Sequence, residues 1–486
     1  MTNDLPTSPA TNLDPTDWDA LRRQGHRMLD DMIDHLSSLA SRPLWQPASD
    51  EVRAHFDAPL PVDPTDLAIV HQDFQSLVLP YGGGNLHSGF MGWVQGGGTP
   101  VGMLAEMLAG GLNANLGGRD HMPIAVERQI VRWTRDIFGF PETAGGLFLT
   151  GASQANFVAL LMARRRALGS NVRRQGAGPT RLTAYTSAEA HGCIPRAADM
   201  AGIGTDNLRM IPVDSARKIN LAALRAAIAR DRANGLKPFL IVGSAGTVNT
   251  GAIDDLDGLA DIAAEENLHF HVDGALGSLA VLAPDLKPLF NGLERADSLA
   301  FDFHKWGQVP YDAGFILVRD AADMRDTFGA PAAYLSRASE GLAGGDWWPS
   351  DDGPDLSRGF RALKTWFTIR TYGLKALGAS ISANCALARA LAGRVAVEPR
   401  LELLAPVELN VVCFGYVPRT PDAEGAVNAR IVERLHMDGT VAPSMTRIDG
   451  RCVIRAAIVN HRTSMSDIDR LVERCLYFGL ALDNQG

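Results

Sequence analysis

A lysine directly after a histidine, at the end of a short apolar run, is the first feature with chemical content: Ser298-Leu-Ala-Phe-Asp302-Phe-His304-Lys305-Trp306. The run reads as a strand, and open α/β sheets bind ligands at the carboxyl ends of their strands. A lysine amine there is a nucleophile once deprotonated, although a lone lysine in such a loop is more often simply solvated. Phe270-His271-Val272-Asp273-Gly274-Ala275 places an acid at the end of another apolar run. Such an aspartate suits a metal, a ribose, a protonated ring nitrogen or, as readily, the cap of the next helix. Leu147-Phe-Leu-Thr150-Gly151-Ala152-Ser153-Gln154 reads as strand, small-residue turn and helix opening, and the free N–H groups of a helix N-terminus hold phosphate. This turn has neither GxGxxG spacing nor a P-loop lysine, which counts against dinucleotides and NTPs. Two more strand ends carry Glu189-Ala-His191-Gly-Cys193 and Gly243-Ser-Ala-Gly246-Thr247. The first offers a histidine able to stack on a ring, the second small and hydroxyl residues that admit close backbone approach.

Taken together these supply a phosphate cradle, a histidine, a buried acid and a lysine in chain order. That set suits pyridoxal 5′-phosphate (PLP), which needs a lysine for its Schiff base and an aspartate to keep its ring nitrogen protonated. No metal is expected.

The elements that must position them follow from periodicity. Apolar runs at Leu147–Thr150, Leu182–Thr186, Phe239–Gly243, Leu268–Val272, Ser298–Phe301 and Gly314–Val318 alternate with helical stretches at Gln154–Leu168, Leu221–Asn234 and Leu256–Glu266. Alternation of this kind predicts an α/β fold with a mainly parallel sheet covered on both faces. Thr99-Pro100 starts a helix that Gly110-Gly111 is expected to stop. Ahead of it, Trp18, Leu21, Met28, Met32, Leu36 and Leu39 recur with helical spacing, so an amphipathic helix must bury its stripe against the main body or a second subunit. Towards the end, Leu401–Tyr416 and Cys452–Val459 read as strands, and Ala426–His436 and Ser464–Leu476 as helices. The predicted division is an N-terminal helical arm over 1–80, a large domain over 81–375 and a small α+β domain over 376–486.

Composition narrows the class. In 486 residues, 46 Lys+Arg against 55 Asp+Glu give a net charge of −9, which does not favour nucleic acid or an anionic membrane. Five scattered cysteines and a polar, acidic start argue against a disulfide scaffold or a signal peptide and for a cytoplasmic protein. The uncharged tract Phe74–Ala105 is too rich in glycine and proline to span a membrane and reads as the wall of a site.

These residues also carry a resemblance. From about Asp17 to about Leu476 the chain is similar to the group II PLP-dependent amino-acid decarboxylases, the aromatic-L-amino-acid decarboxylase family. The likeness rests on Gly96–Leu112, His304-Lys305-Trp306 after Asp273 and the Thr247 loop, Gly359-Phe-Arg361-Ala-Leu-Lys364-Thr-Trp366-Phe, and Arg451-Cys-Val-Ile-Arg455. It implies a fold-type I PLP enzyme, a homodimer with shared active sites, which decarboxylates an L-amino acid to its amine. Lys305 resembles the Schiff-base lysine, His191 the ring-stacking residue and Asp273 the ring-nitrogen partner, with Ala275 beneath the ring. Ala152 and Ser153 resemble the phosphate-binding pair, helped by Ser298 and His304, and Thr247 a cofactor contact. Asp302 stands where many relatives have Asn, and it joins the cofactor contacts.

Two departures bear on the reaction. Across Gly329–Arg358, the relatives' catalytic loop tyrosine aligns with Asp346-Trp347-Trp348, and Tyr334 better matches an upstream, non-catalytic position. The family associates loss of that hydroxyl with oxidative decarboxylation–deamination to an aldehyde. A Phe-Pro-Thr run of the substrate wall is replaced by Val94-Gln95-Gly96, followed by Gly97-Gly98, where glycine is expected either to open the pocket or to bring backbone N–H groups close to substrate. His87, Trp93, Gln95, Gly96, His121 and Trp347 are the expected substrate-side residues.

Overall fold

The computed structural model describes residues 12–329, 337–419 and 424–484. The chain forms two compact units, Met1–Gly84 and Asn85–Gly486. In the first, Asp17 caps a helix over Trp18–Ser37 by accepting from the Asp19 and Ala20 N–H groups. Shorter helices follow at Asp50–His55 and Leu67–Asp73, and Gln24 reaches His71 at 3.1 Å. Part of the expected stripe lies open: Trp18, Leu21 and Met28 are all exposed, Trp18 by 59%.

Among the described residues the second unit has twelve strands: Phe90–Met91 (β1), Gly145–Leu149 (β2), Leu182–Ser187 (β3), Leu208–Ile211 (β4), Lys237–Ser244 (β5), His269–Asp273 (β6), Ser298–Asp302 (β7), Gly314–Val318 (β8), Leu401–Leu403 (β9), Val411–Tyr416 (β10), Ala442–Ile448 (β11) and Arg451–Ala457 (β12). Seven of them make a sheet ordered β2-β8-β7-β6-β5-β3-β4. Neighbours from β4 to β7 are parallel, whereas β8 runs antiparallel to both β7 and β2. Every residue of β2, β6, β7 and β8 is buried, as strands covered on both faces require. Alternation sorts the two faces: Leu147, Leu149, Ala300, Ile316 and Val318 pack with the helix Ala152–Leu168, while Phe148, Phe301, Phe315 and Leu317 belong to the main core.

The other five strands form a sheet ordered β1-β11-β12-β10-β9. Asp449 and Gly450 both take positive φ between β11 and β12, the two-residue turn that suits a twisted hairpin. A helix over Arg361–Val397, broken at Gly373 (φ 73°), contacts strands of this sheet and helices flanking the other.

Several local expectations change. The helix from Pro100 runs past both glycines to Leu112 and is stopped by Asn113 in the left-handed region. Leu401–Tyr416 is two strands, not one. Strands β4 and β11 were not anticipated, and β1 joins the smaller sheet from far earlier in the chain. Among the described residues no helix is long and apolar enough to cross a membrane.

Candidate active site

The carboxyl ends of β5, β6 and β7 and the turn after β2 converge on a cavity of about 540 Å³. The parallel sheet explains the convergence, because each strand ends on the same edge and its following loop turns over it. Lys305 lies three residues past the end of β7, and its Nζ sits 2.8 Å from Asp302 Oδ2. The other Asp302 oxygen accepts from the Ala152 N–H at 2.7 Å. Burial alone would push the Lys305 amine down. Asp302, with Asp273 and Tyr311 behind it, outweighs burial and holds the amine above its ordinary value.

Asp273 ends β6, and its carboxyl is pushed up by burial, against the Ala275 N–H and the Lys305 charge. His304 packs on Tyr311 at 4.3 Å between ring centres and accepts from the Ala313 N–H at 3.0 Å. Burial lowers its pKa. His191 precedes the helix Cys193–Met200 and accepts from the Cys193 N–H through Nδ1, which leaves Nε2 to carry its proton. Thr247 is buried and accepts from the Ala252 N–H.

Ala152, Ser153, His191, Thr247, Asp273 and Ala275 therefore line one cavity with Asp302, His304 and Lys305. Trp93 and Gln95 are there too. Ser298 is not: it opens β7 at the opposite end from Asp302, and its hydroxyl is engaged by His269 and His271 at 2.9 and 2.8 Å. His87 is buried away from the cavity, accepting from the Gly89 N–H. His121 bonds the Gly118 carbonyl, and Trp347 donates to Asp352 at 2.7 Å beside Arg128. None of these three lines the cavity of this chain. Tyr334 lies outside the described residues.

At Gly96 the missing side chain leaves no gap in the wall. A Cβ on Gly96 would fall 2.3 Å from the His304 carbonyl oxygen and 2.5 Å from that of Lys305, so its role is close packing under the lysine loop. Residues missed from sequence include Tyr311, Asn249, Thr446 and Arg455. Arg455 carried a signal, a charge inside the apolar run Val-Ile-Arg-Ala-Ala. It is 4% exposed and donates to the carbonyls of Trp93, Val248 and Asn249.

Gly151 has no side chain to cap the helix that opens at Ala152; Asp302 takes the Ala152 N–H and the Gly151 carbonyl that of Gln154, which leaves the Ser153 N–H and hydroxyl for an anion. The chain thus offers an amine for an aldehyde, a buried carboxyl for a ring nitrogen and donors for a phosphate around one cavity, and PLP fits that set. A family model described as the pyridoxal-dependent decarboxylase conserved domain matches residues 50–417. The chain belongs to this family. PLP is accordingly its cofactor, and the family's members are carboxy-lyases.

This decarboxylase family member is similar to an aromatic-L-amino-acid decarboxylase of Bacillus atrophaeus, 30% identical over 463 residues that cover 92% of this chain and 93% of the relative. It is also similar to phenylacetaldehyde synthase of Arabidopsis thaliana, 29% identical over 467 residues, with 92% and 93% covered. A crystal structure of Oryza sativa TDC with PLP and tryptamine shares its fold, with a TM-score of 0.90 at 24% identity over 97% of this chain and 100% of that one.

Proposed function

We propose that the protein decarboxylates an L-amino acid, with aromatic side chains favoured by its similarity to an aromatic-L-amino-acid decarboxylase. The single observation that carries the reading is the Lys305–Asp302–Ala152 chain of contacts in one cavity with Asp273. When bound, PLP supplies an electron sink for the pair released as the bond from the α-carbon to the carboxylate breaks. Lys305 would hold the cofactor through its amine. Asp273 would set its carboxyl against the ring nitrogen, where burial strengthens the interaction. His191 lines the cavity with its proton on Nε2, and Ala152 and Ser153 would hold the phosphate end. Which bond breaks then depends on how the wall residues Trp93, Gln95 and Tyr311 orient the substrate.

A second reading is oxidative decarboxylation–deamination to an aldehyde, consuming O₂ and water and releasing CO₂, ammonia and hydrogen peroxide. Two observations favour it: the similarity to a phenylacetaldehyde synthase, and a loop in which Trp347 is committed to Asp352 and offers no phenolic proton.

The exposed face of the Trp18–Ser37 helix supports a homodimer in which residues 1–80 serve as the contact arm. We retain 81–375 as the PLP-binding domain, 376–486 as the small domain and the cytoplasm as the location. The deciding experiment takes an absorbance spectrum with PLP, then scores an amino-acid panel for CO₂, peroxide and ammonia. A long-wavelength band with CO₂ and amine alone is the expected result. Peroxide and ammonia beside CO₂ would replace it with the aldehyde reading, and no band after added PLP would defeat both.

A further inference from the structure

Beyond the lysine, the acid and the phosphate cradle, one residue bonds to the His191 loop and to the smaller sheet at once. Asn249 follows Thr247 by two residues on the loop after β5 and lines the cavity. Its amide nitrogen donates to Glu189 Oε2 at 3.1 Å, on the loop that carries His191. Its amide oxygen accepts from the Thr446 hydroxyl at 3.0 Å, on β11 of the smaller sheet. Its backbone carbonyl accepts from Arg455 Nε at 3.1 Å and from Cys413 Sγ at 3.2 Å, on β12 and β10. A carboxylate only accepts, so the orientation of the amide is fixed by Glu189.

We infer that Asn249 is a positioning residue, holding the His191 loop against the Thr247 loop and tying both to the smaller sheet. The inference rests on the proposed function for what those two loops do. The amide donates to a carboxylate at one end and accepts from a hydroxyl at the other; alanine does neither, and aspartate, which only accepts, loses the contact with Glu189. Small displacements of reacting groups cost rate steeply, so a tie between two cavity loops acts on turnover without touching substrate.

The charged and titratable groups around this tie come from every element packed on it. Glu189 faces Arg217 at 3.8 Å, and Arg217 in turn pairs with Asp449 at 2.9 Å on the turn after β11. Arg455 comes from β12, and Cys413, whose thiol burial pushes up to about 11, from β10.

The test uses the full chain with PLP. In Asn249→Ala, hydrogen exchange should quicken by about tenfold in residues 187–193 as well as in 246–251, although only the second loop carries the change. In Asn249→Asp, two carboxyls face each other, so turnover should fall about tenfold near pH 8 and recover towards pH 5.5 as the pair shares a proton. Wild type and Asn249→Ala lack that recovery. The double variant Glu189→Gln/Asn249→Asp rebuilds the contact with its polarity reversed and should return turnover near pH 8 to within about threefold of wild type. Faster exchange confined to 246–251, a wild-type pH profile in Asn249→Asp, or a double variant no better than the single would each overturn the inference. Should Asn249→Asp not fold, exchange in Asn249→Ala still decides. A wild type that loads PLP but releases no CO₂ defeats the decarboxylase reading alone, and leaves the exchange result to judge Asn249.

Discussion

Asp302 accepts from the Ala152 N–H and from Lys305 Nζ at once, so the lysine's counter-ion also takes one donor at the head of the phosphate-facing helix. His304 Nε2 lies 3.6 Å from the same carboxylate. The three residues form one electrostatic unit, and removing Lys305 breaks it. Lys305→Ala should abolish turnover and the long-wavelength absorbance of bound PLP; retained wild-type turnover in a kinetic assay would refute the assignment. His191 makes no contact with this unit beyond sharing the cavity, so His191→Ala should still bind PLP yet lose about 10²–10⁴-fold in kcat. Titrating PLP absorbance beside the rate separates the two, and an unchanged rate removes His191 from the machinery.

At the scale of elements, Gly96 is a packing residue against the lysine loop rather than a gap in the wall. Gly96→Ala must displace the His304 and Lys305 carbonyls, and we expect PLP affinity to fall at least about tenfold while the melting temperature moves by only a few degrees. Equal PLP affinity in an absorbance titration would show that the loop gives way without cost. This contact also marks what a sequence can and cannot reveal. Apolar runs between helices predicted the large sheet well, because strands buried on both faces must be continuously hydrophobic. Lys305, Asp273 and Thr247 were legible for the same reason: they end such runs. Ser298 came with the resemblance and not from its place in a strand; it opens β7, and only the carboxyl end of that strand reaches the cavity. Strand β4 is only four residues long, with buried Leu208 and Ile211 flanking half-buried Arg209 and exposed Met210, and gives almost no periodic signal. Asn249, Thr446 and Arg455 meet only through the pairing of β10, β11 and β12, a long-range arrangement that no local spacing encodes.

For the molecule as a whole, three buried histidines govern acid stability. Burial pushes His269 to about 4, His271 to about 3 and His461 to about 4. Below pH 6.5 the unfolded chain binds protons there that the folded chain does not, so stability falls with pH down to about 4. Asp254, raised by burial to about 6, acts oppositely and offsets part of this loss. The net change from pH 7 to 5.5 is about 2–3 kcal/mol, checked by denaturant midpoints at the two pH values, and a flat midpoint would contradict it. The proposed dimer predicts a solution mass near twice 52.1 kDa by light scattering, and a monomer would leave the arm without its proposed contact. The reversed strand β8 carries one more consequence, in the order of folding events. It is the strand that returns from the lysine loop, and it pairs with β2 across the sheet, joining Gly145 to Val318 and Leu149 to Gly314. Contacts so far apart in the chain are entropically expensive and form late. Gly151 and Gly314 then meet backbone to backbone, closing the helix head against the lysine loop. The cofactor site is thus completed only with the late β2–β8 pairing, so PLP would stabilise the finished protein without hastening its formation.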